Sequence, residues 1–245
     1  MRLCPVQSPD TSALTSGKIT YTEKVKLQIR IDGDASALGN TLPQEKSTEK
    51  VLLFSESATL YMDGKTQDEE MPDDNDGPVK VRMIISGDNK TFTDLSRKVI
   101  IDQRDFMNRL FLIEKPLPAQ GWKMTGNRKD ILGYHCLEAE STDTAGIRTV
   151  AWFTPQISIS GGPASYCNLP GMVLEVNVNN GERTITAKSV GRISPADLKI
   201  EKPVAGKKMT DDEFRKIVAD KMKEMGMEDG GDSGSGAHVK IVIRK

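Results

Sequence analysis

The sequence contains no apolar run that approaches the roughly 18 residues needed to span a bilayer, and it does not begin with the charged and apolar segments of a secretory signal. We therefore predict no transmembrane segment. An excess of charge of one sign is also missing, because 34 Lys and Arg residues are matched by 35 Asp and Glu residues. No Lys/Arg cluster is interleaved with aromatic residues, so we predict no nucleic-acid binding.

Histidine is scarce, with His135 in a predicted strand and His238 beside a predicted linker. A Ser/His/Asp or Cys/His catalytic constellation would need one of them as its base, and neither lies in a recognisable motif. We predict that the protein is not an enzyme, with a hydrolase built on paired carboxylates as the alternative. Residues 161–163 (Gly-Gly-Pro) lack the Lys-Ser/Thr of a phosphate loop, which favours a turn, and we predict no cofactor.

Cysteine is also rare, and the three residues are Cys4, Cys136 and Cys167. A disulfide between Cys136 and Cys167 would close a loop of about 32 residues and stabilise the fold by about 3 to 4 kcal/mol. The sequence leaves two buried free thiols as the alternative. We predict no metal site, because Cys136 has only His135 beside it and no second pair stands at zinc-ligand spacing.

An acidic stretch occupies residues 63–78. Its spacing does not match a calcium-binding loop, because counting back from Gly77 places Pro72 at the first ligand position. We therefore predict a solvated loop that is available to a partner.

Alternation of apolar and polar residues is what the chain has in abundance, beginning with a long strand from Ile19 to Ile31. Gly and Asn residues at Gly126-Asn127 and Asn180-Gly181 predict turns between such strands. Further strands are predicted at 49–54, 58–62, 79–86, 90–94, 97–102, 109–114, 131–140, 147–154, 172–178 and 183–193. We predict a mainly β fold, with an antiparallel and strongly curved sheet or half barrel that resembles lipoprotein carriers.

A helix is predicted over residues 211–225, where Thr210 and Glu213 form a capping box ahead of an apolar stripe that includes Phe214 and Met222. This amphipathic helix is expected to cover the sheet. We divide the chain into a flexible N-terminal segment (1–16), a β-rich domain (17–226), a Gly/Ser linker (227–237) and a terminal strand (238–245) that returns to a sheet edge.

One motif is more specific, namely residues 168–175 (NLPGMVLE), a turn that leads into a strand. Other matching segments are 121–123 (GWK), 129–136 (KDILGYHC), 151–154 (AWFT) and 161–163 (GGP). In this order and spacing the chain resembles the bacterial GLPGLI family, over roughly residues 17 to 225. The resemblance implies a protein of the periplasm or of the inner face of the outer membrane, and implies no known reaction.

We interpret Pro170 and Gly171 as architecture. Trp122 and Trp152 are expected to anchor the core or to line a ligand groove. The candidate ligand or partner residues are Trp122, Trp152, Met172, Leu174, Phe214 and Met222. Two functions are expected from this reading: an accessory subunit that docks on an outer-membrane transport or assembly complex, or a carrier that binds a lipid or another apolar ligand in the concave face.

Overall fold

The computed structural model describes residues 14–26, 45–64 and 89–224, together with the strand backbone of residues 28–32 and 238–242. Twelve strands form one open sheet in the order β13-β7-β6-β5-β4-β3-β1-β12-β11-β10-β9-β8. The strands of this sheet are β1 (Gly17–Lys26), β3 (Glu45–Phe54), β4 (Ala58–Asp63), β5 (Lys90–Asp94), β6 (Val99–Phe106), β7 (Arg109–Pro116), β8 (Lys123–Ile131), β9 (Tyr134–Thr142), β10 (Arg148–Thr154), β11 (Met172–Val178), β12 (Arg183–Arg192) and β13 (Lys207–Met209). Neighbouring strands are antiparallel except for the parallel pair of β13 and β7.

The predicted mainly β fold, with one open sheet and a C-terminal amphipathic helix, is confirmed. Several boundaries differ from the prediction. Gly126-Asn127 is not a turn but lies in a bulge inside β8, and the turn before β9 is formed by Leu132 and Gly133, which have φ of 52° and 81°. Alternation is weak in β8 because seven of its nine residues are exposed, on both faces of the strand.

The C-terminal strand β14 (His238–Val242) pairs with β2 (Gln28–Asp32) in a separate two-stranded ladder. The prediction that it joins an edge of the main sheet is therefore wrong. The predicted strand 79–86, the acidic stretch beyond Gly64, the linker 227–237, and Cys4 in the N-terminal segment lie outside the described residues.

The main core lies on one side of the sheet, which we call the inner face because the side chain of Tyr21 points into it. Residues 155–171, the covering loop, lie over this face and are joined to the start of β11 by the bond from Met172 N to Ile157 O (3.1 Å). Ile157 and Leu169 of the loop are at most 1% exposed and pack with residues of β1, β3 and β9–β12. Burial of each such side chain contributes about 1.5 to 3 kcal/mol.

A second, smaller core lies on the opposite side of β4–β7. It is formed by Leu60, Phe92, Ile101 and Leu112, and Ile200 from the segment between β12 and β13 packs against it. These strands are therefore covered on both faces, which explains the long buried runs in β5 and β6.

The helix α1 (Asp211–Glu224) begins with the predicted capping box. Thr210 Oγ1 accepts a hydrogen bond from Glu213 N (3.2 Å), and Glu213 Oε2 accepts one from Thr210 N (2.8 Å). Phe214 packs against Phe106 and Phe111, with ring centroids 6.2 and 5.4 Å away. No residue of 211–224 is fully buried, so the helix lies over the β6–β7 end of the sheet and does not plug the core.

Gly171 should be intolerant of any side chain. A Cβ atom at this position would stand 2.1 Å from the carbonyl oxygen of Thr154, and the φ of +152° disfavours other residues. We expect Gly171→Ala to lower the free energy of unfolding by about 1 to 3 kcal/mol, measured by urea denaturation.

Gly191→Ala is the matched control, because the nearest atom to its added Cβ would be 3.9 Å away. Its effect should stay within about 0.5 kcal/mol. Equal losses in the two variants would contradict the steric role assigned to Gly171.

Candidate functional site

A buried ion pair lies on the inner face near the end of β1, two residues beyond Tyr21. Glu23 Oε1 accepts a hydrogen bond from Arg183 Nε (2.9 Å), and Glu23 Oε2 accepts one from the hydroxyl of Tyr61 (3.0 Å). Lys50 forms a second ion pair nearby with Asp63. The cluster joins β1, β3, β4 and β12. On the inner face of β1, the apolar side chains are followed at this point by a carboxylate, because alternate residues of a strand share one face.

The protonation states of this cluster are set by its surroundings. Burial opposes ionisation of Glu23, but the charges of Arg183 and Lys50 and the hydrogen bonds from Arg183 and Tyr61 outweigh it, so the pKa of Glu23 is lowered. Burial raises the pKa of Tyr61 well above its ordinary value. At neutral pH Glu23 is therefore ionised and Tyr61 protonated, and their hydrogen bond and the ion pair with Arg183 join β1, β4 and β12.

A second buried carboxylate, Asp102 on β6, connects the sheet to the helix. It accepts a hydrogen bond from Thr91 Oγ1 (2.7 Å) and pairs with Lys115 Nζ (3.0 Å) and with Arg104 (3.3 Å). Lys115 also lies 3.6 Å from Asp211 at the start of α1. Burial opposes ionisation of Asp102, but the two cations and the hydroxyl overcome it and the pKa of Asp102 is lowered.

The two described cysteines, Cys136 and Cys167, are both free and buried. The predicted disulfide is therefore not formed, and the alternative of two buried thiols describes the structure. Burial raises the pKa of Cys136 to about 11 and that of Cys167 to about 12. Thiols with such pKa values are almost entirely protonated at neutral pH and are weak nucleophiles and metal ligands.

His135 lies on the surface at the start of β9. Its side chain is 82% exposed, with Nδ1 2.6 Å from Asp130 Oδ1, whereas its chain neighbour Cys136 is 1% exposed. The two side chains point to opposite sides of the strand, so they do not form a catalytic dyad. Among the described residues, no group of three or more His, Cys, Asp or Glu side chains is placed to hold a metal ion.

The outer face of the sheet carries a row of side chains that the chain order does not reveal. Cross-strand pairing places Glu138, Trp152, Glu175, Thr186 and Thr22 side by side on β9, β10, β11, β12 and β1. We call these five residues the polar row. Each is half-buried, whereas the next row along the strands, which faces inward, is buried.

Lys129 of β8 extends over the polar row. Its Nζ lies 4.3 Å from the centroid of the Trp152 ring and 2.6 Å from Glu175 Oε1. The cation–π contact and the ion pair hold the ammonium group over the face of the indole ring.

The bulge in β8 completes the polar row. It directs two polar side chains toward Glu138, which accepts hydrogen bonds from Thr125 Oγ1 (2.6 Å) and from Asn127 Nδ2. The hydrogen bond from Thr125 is the largest cause of the lowered pKa of Glu138. An indole, carboxylates, an ammonium group, an amide and hydroxyls thus meet on one accessible surface, a composition suited to a ligand rich in hydroxyl groups.

The site residues predicted from the sequence lie in different environments in the structure. Met172 and Leu174 are 0% exposed, so they belong to the core and are unavailable to a ligand. Trp122 is half-buried and donates Nε1–H to Cys167 O (2.9 Å). Phe214 packs on the sheet, Met222 is half-buried on α1, and Trp152 lies in the polar row. Sequence reasoning missed Glu138, Glu175 and Lys129, because single charged residues in strands carry no signal without the strand order.

Comparison with known proteins identifies the fold. The family model described as "N-glycanase peptide, N-terminal domain" matches residues 45–214. The crystal structure of PNGF-II in space group P21 superposes with a TM-score of 0.56 at 14% identity, covering 84% of this chain and 33% of that chain. The C2 crystal form gives a TM-score of 0.53 at 15% identity, covering 81% and 33%. No curated protein matches the chain.

This chain therefore spans about a third of the length of the solved structures it matches, and at these identities the likeness concerns the fold. The GLPGLI resemblance is wrong, because the matching family is a different one. The residues that suggested it serve the fold: Gly171 N donates to Leu169 O (2.8 Å), Val173 N donates to Gly161 O (3.0 Å), and Leu169 lies in the core. The same turn chemistry can arise in unrelated families. No helix in the described part of the chain is long and apolar enough to cross a membrane.

Replacing Glu23 by Gln should strongly destabilise the fold, since the Arg183 guanidinium would lose its buried counter-ion. We expect the free energy of unfolding at pH 7 to fall by about 3 kcal/mol in a urea titration. Glu140→Gln is the control, because the side chains of Glu140 and Arg148 are 37% and 51% exposed, and it should cost less than about 1 kcal/mol.

The pH dependence gives a second readout for Glu23. Its folded pKa is lowered, so its contribution is complete above the unfolded pKa and is lost as the pH falls through the folded pKa. The difference between the wild type and Glu23→Gln should therefore shrink below about pH 4. A constant difference between pH 7 and pH 3 would contradict the ionised pair.

Proposed function

Because the chain belongs to the family of N-glycanase peptide N-terminal domains, we propose that it is a non-catalytic module that binds N-glycosylated polypeptides for an N-glycanase catalytic unit. The coverage supports a modular role, since this fold accounts for about a third of the PNGF-II chain. We propose the catalytic unit, the substrate and the contribution of this module to substrate turnover together.

The polar row is the observation that carries the proposal. The C–H faces of a sugar pack against an indole ring, and its hydroxyl groups donate to carboxylates and accept from ammonium and amide groups. Trp152 supplies the ring, and a bound sugar takes the place of the Lys129 ammonium group, which lies over that ring 4.3 Å from its centroid. Glu138 and Glu175 supply the acceptors, and Lys129 and Asn127 the donors. The row extends across five neighbouring strands, so it offers room for several sugar units.

The buried ionisable groups support a non-catalytic role. Glu23 and Asp102 are held ionised by cations, which suits structural pairing and not proton donation at neutral pH. Cys136 and Cys167 have raised pKa values, which makes them weak nucleophiles.

The earlier functional expectations change accordingly. The accessory role is kept, with an N-glycanase unit as the proposed partner in place of an outer-membrane complex. The carrier function has less support, because the apolar inner face packs against the chain's own covering loop, including Ile157 and Leu169. The periplasmic location stays a prediction, and an outer-membrane complex stays the predicted alternative to the N-glycanase unit as the partner.

Binding without cleavage is the expected result. The test uses a polypeptide with one N-linked oligosaccharide and the same polypeptide without it, with affinity measured by biolayer interferometry and released glycan by mass spectrometry. We expect preferential binding of the glycosylated form and no released glycan. Glycan release by the protein alone would show an enzyme, and equal binding of both forms would remove the glycan from the recognition.

Glu138→Gln and Glu140→Gln form a matched pair, two residues apart on the same face of β9. Glu138→Gln removes the charged acceptor of the polar row, so we expect about a tenfold loss of affinity for the glycosylated form. Glu140 pairs with Arg148 outside the polar row, so Glu140→Gln should leave the affinity for the glycosylated form unchanged. Equal affinity of the two variants would place the glycan site elsewhere.

A further inference from the structure

The ammonium group of Lys129 lies where a sugar would stack. Its Nζ atom is 4.3 Å from the centroid of the Trp152 ring, the aromatic ring of the polar row. Carbon atoms in van der Waals contact are about 3.5 to 4.0 Å apart, so a sugar stacked on this ring needs the space of the ammonium group. Lys129 and a sugar therefore exclude each other from the ring.

The order of the strands explains how Lys129 reaches the indole. Lys129 on β8 is paired with Cys136 on β9. Trp152 lies one strand further, on β10, so the lysine side chain crosses β9 to reach it. The ammonium group is fixed there by the ion pair with Glu175 of β11 (2.6 Å). Lys129 is thus an extended side chain that is anchored at its tip.

The contacts of this ammonium group can be exchanged without disturbing the core. The side chains of Lys129 and Glu175 are half-buried, and both contacts of the ammonium group are with side chains. Lysine carries its charge on a flexible four-carbon stem. Lys129 can therefore leave the Trp152 ring and keep Glu175 as its partner.

We propose that Lys129 determines how strongly the polar row binds sugars, because it covers the Trp152 ring in the free protein and leaves the ring when a sugar binds. This inference rests on the proposed function. The cation–π contact is broken on binding, whereas the ion pair with Glu175 is kept. From its new position the ammonium group donates to hydroxyl groups of the sugar, which favours a hydroxylated ligand over a purely apolar one.

Two substitutions of Lys129 separate this role from that of a simple hydrogen-bond donor. Lys129→Gln keeps an N–H donor but removes the charge that holds the side chain over the ring. Lys129→Arg keeps the charge and introduces a planar group that stacks on aromatic faces. If Lys129 covers the ring, Lys129→Gln binds a sugar more tightly than the wild type and Lys129→Arg more weakly. A charged donor without the covering role predicts weaker binding by Lys129→Gln than by Lys129→Arg.

The first measurement is the affinity of each variant for the polypeptide with one N-linked oligosaccharide, by biolayer interferometry. We expect Lys129→Gln to bind about two- to fivefold more tightly than the wild type, the factor that corresponds to a cation–π contact at an exposed site, and Lys129→Arg to bind about twofold more weakly. Lys123→Gln is the matched control for the lost charge, because Lys123 is exposed at the start of β8 and lies outside the polar row. Its affinity should equal that of the wild type.

The second measurement, acrylamide quenching of Trp152 fluorescence, tests the cover without any ligand. The signal of Trp122 is measured in Trp152→Phe and subtracted. We expect quenching to increase in Lys129→Gln, to decrease in Lys129→Arg and to stay unchanged in Lys123→Gln, because only the first two alter the group over the ring.

The inference is overturned if the glycosylated polypeptide binds Lys129→Gln more weakly than Lys129→Arg, an outcome that leaves the proposed function intact. Equal quenching in the wild type and both Lys129 variants would overturn it as well. Absence of glycan binding by every protein, with the expected order of quenching, would instead overturn the proposed function and with it the role of Lys129 in sugar binding.

Discussion

The structure depends on the contact between the covering loop and the inner face of the sheet. A sheet with one strongly apolar face must bury that face, and here the chain does so with its own residues 155–171. The hydroxyl of Tyr21 donates to Val173 O (2.6 Å), so a core side chain of β1 is bonded to the backbone at the start of β11. The packing within the covering loop is close at Gly162, because a Cβ atom there would stand 1.9 Å from the carbonyl oxygen of Tyr166.

Closure of the inner face decides where function can lie. Buried charges occur where the apolar packing ends. Glu23 and Asp102 each form ion pairs with cations, so both carboxylates have a structural role. The outer face of β8–β12 carries the polar row, whose side chains are half-buried and partly accessible. Ile200, from the segment between β12 and β13, packs against the smaller core of β4–β7 on that same side.

The two ends of the sheet differ for a physical reason. At β8 the ladder is interrupted by a bulge, and the strand uses its exposed side chains to support Glu138. At β13 the strand is short and regular, no described strand pairs with its outer side, and α1 follows it directly.

The sequence by itself determined the fold class, most strands and the helix, because alternation with a period of two and the Thr210–Glu213 capping box are local signals. The order of the strands in the sheet decided which side chains become neighbours. Glu138, Trp152 and Glu175 become neighbours through pairing between β9, β10 and β11, and the pairing of Glu23 with Arg183 joins residues far apart in the chain. The burial of Met172 and Leu174, and the free state of Cys136 and Cys167, likewise follow from how the covering loop packs, which no local pattern encodes.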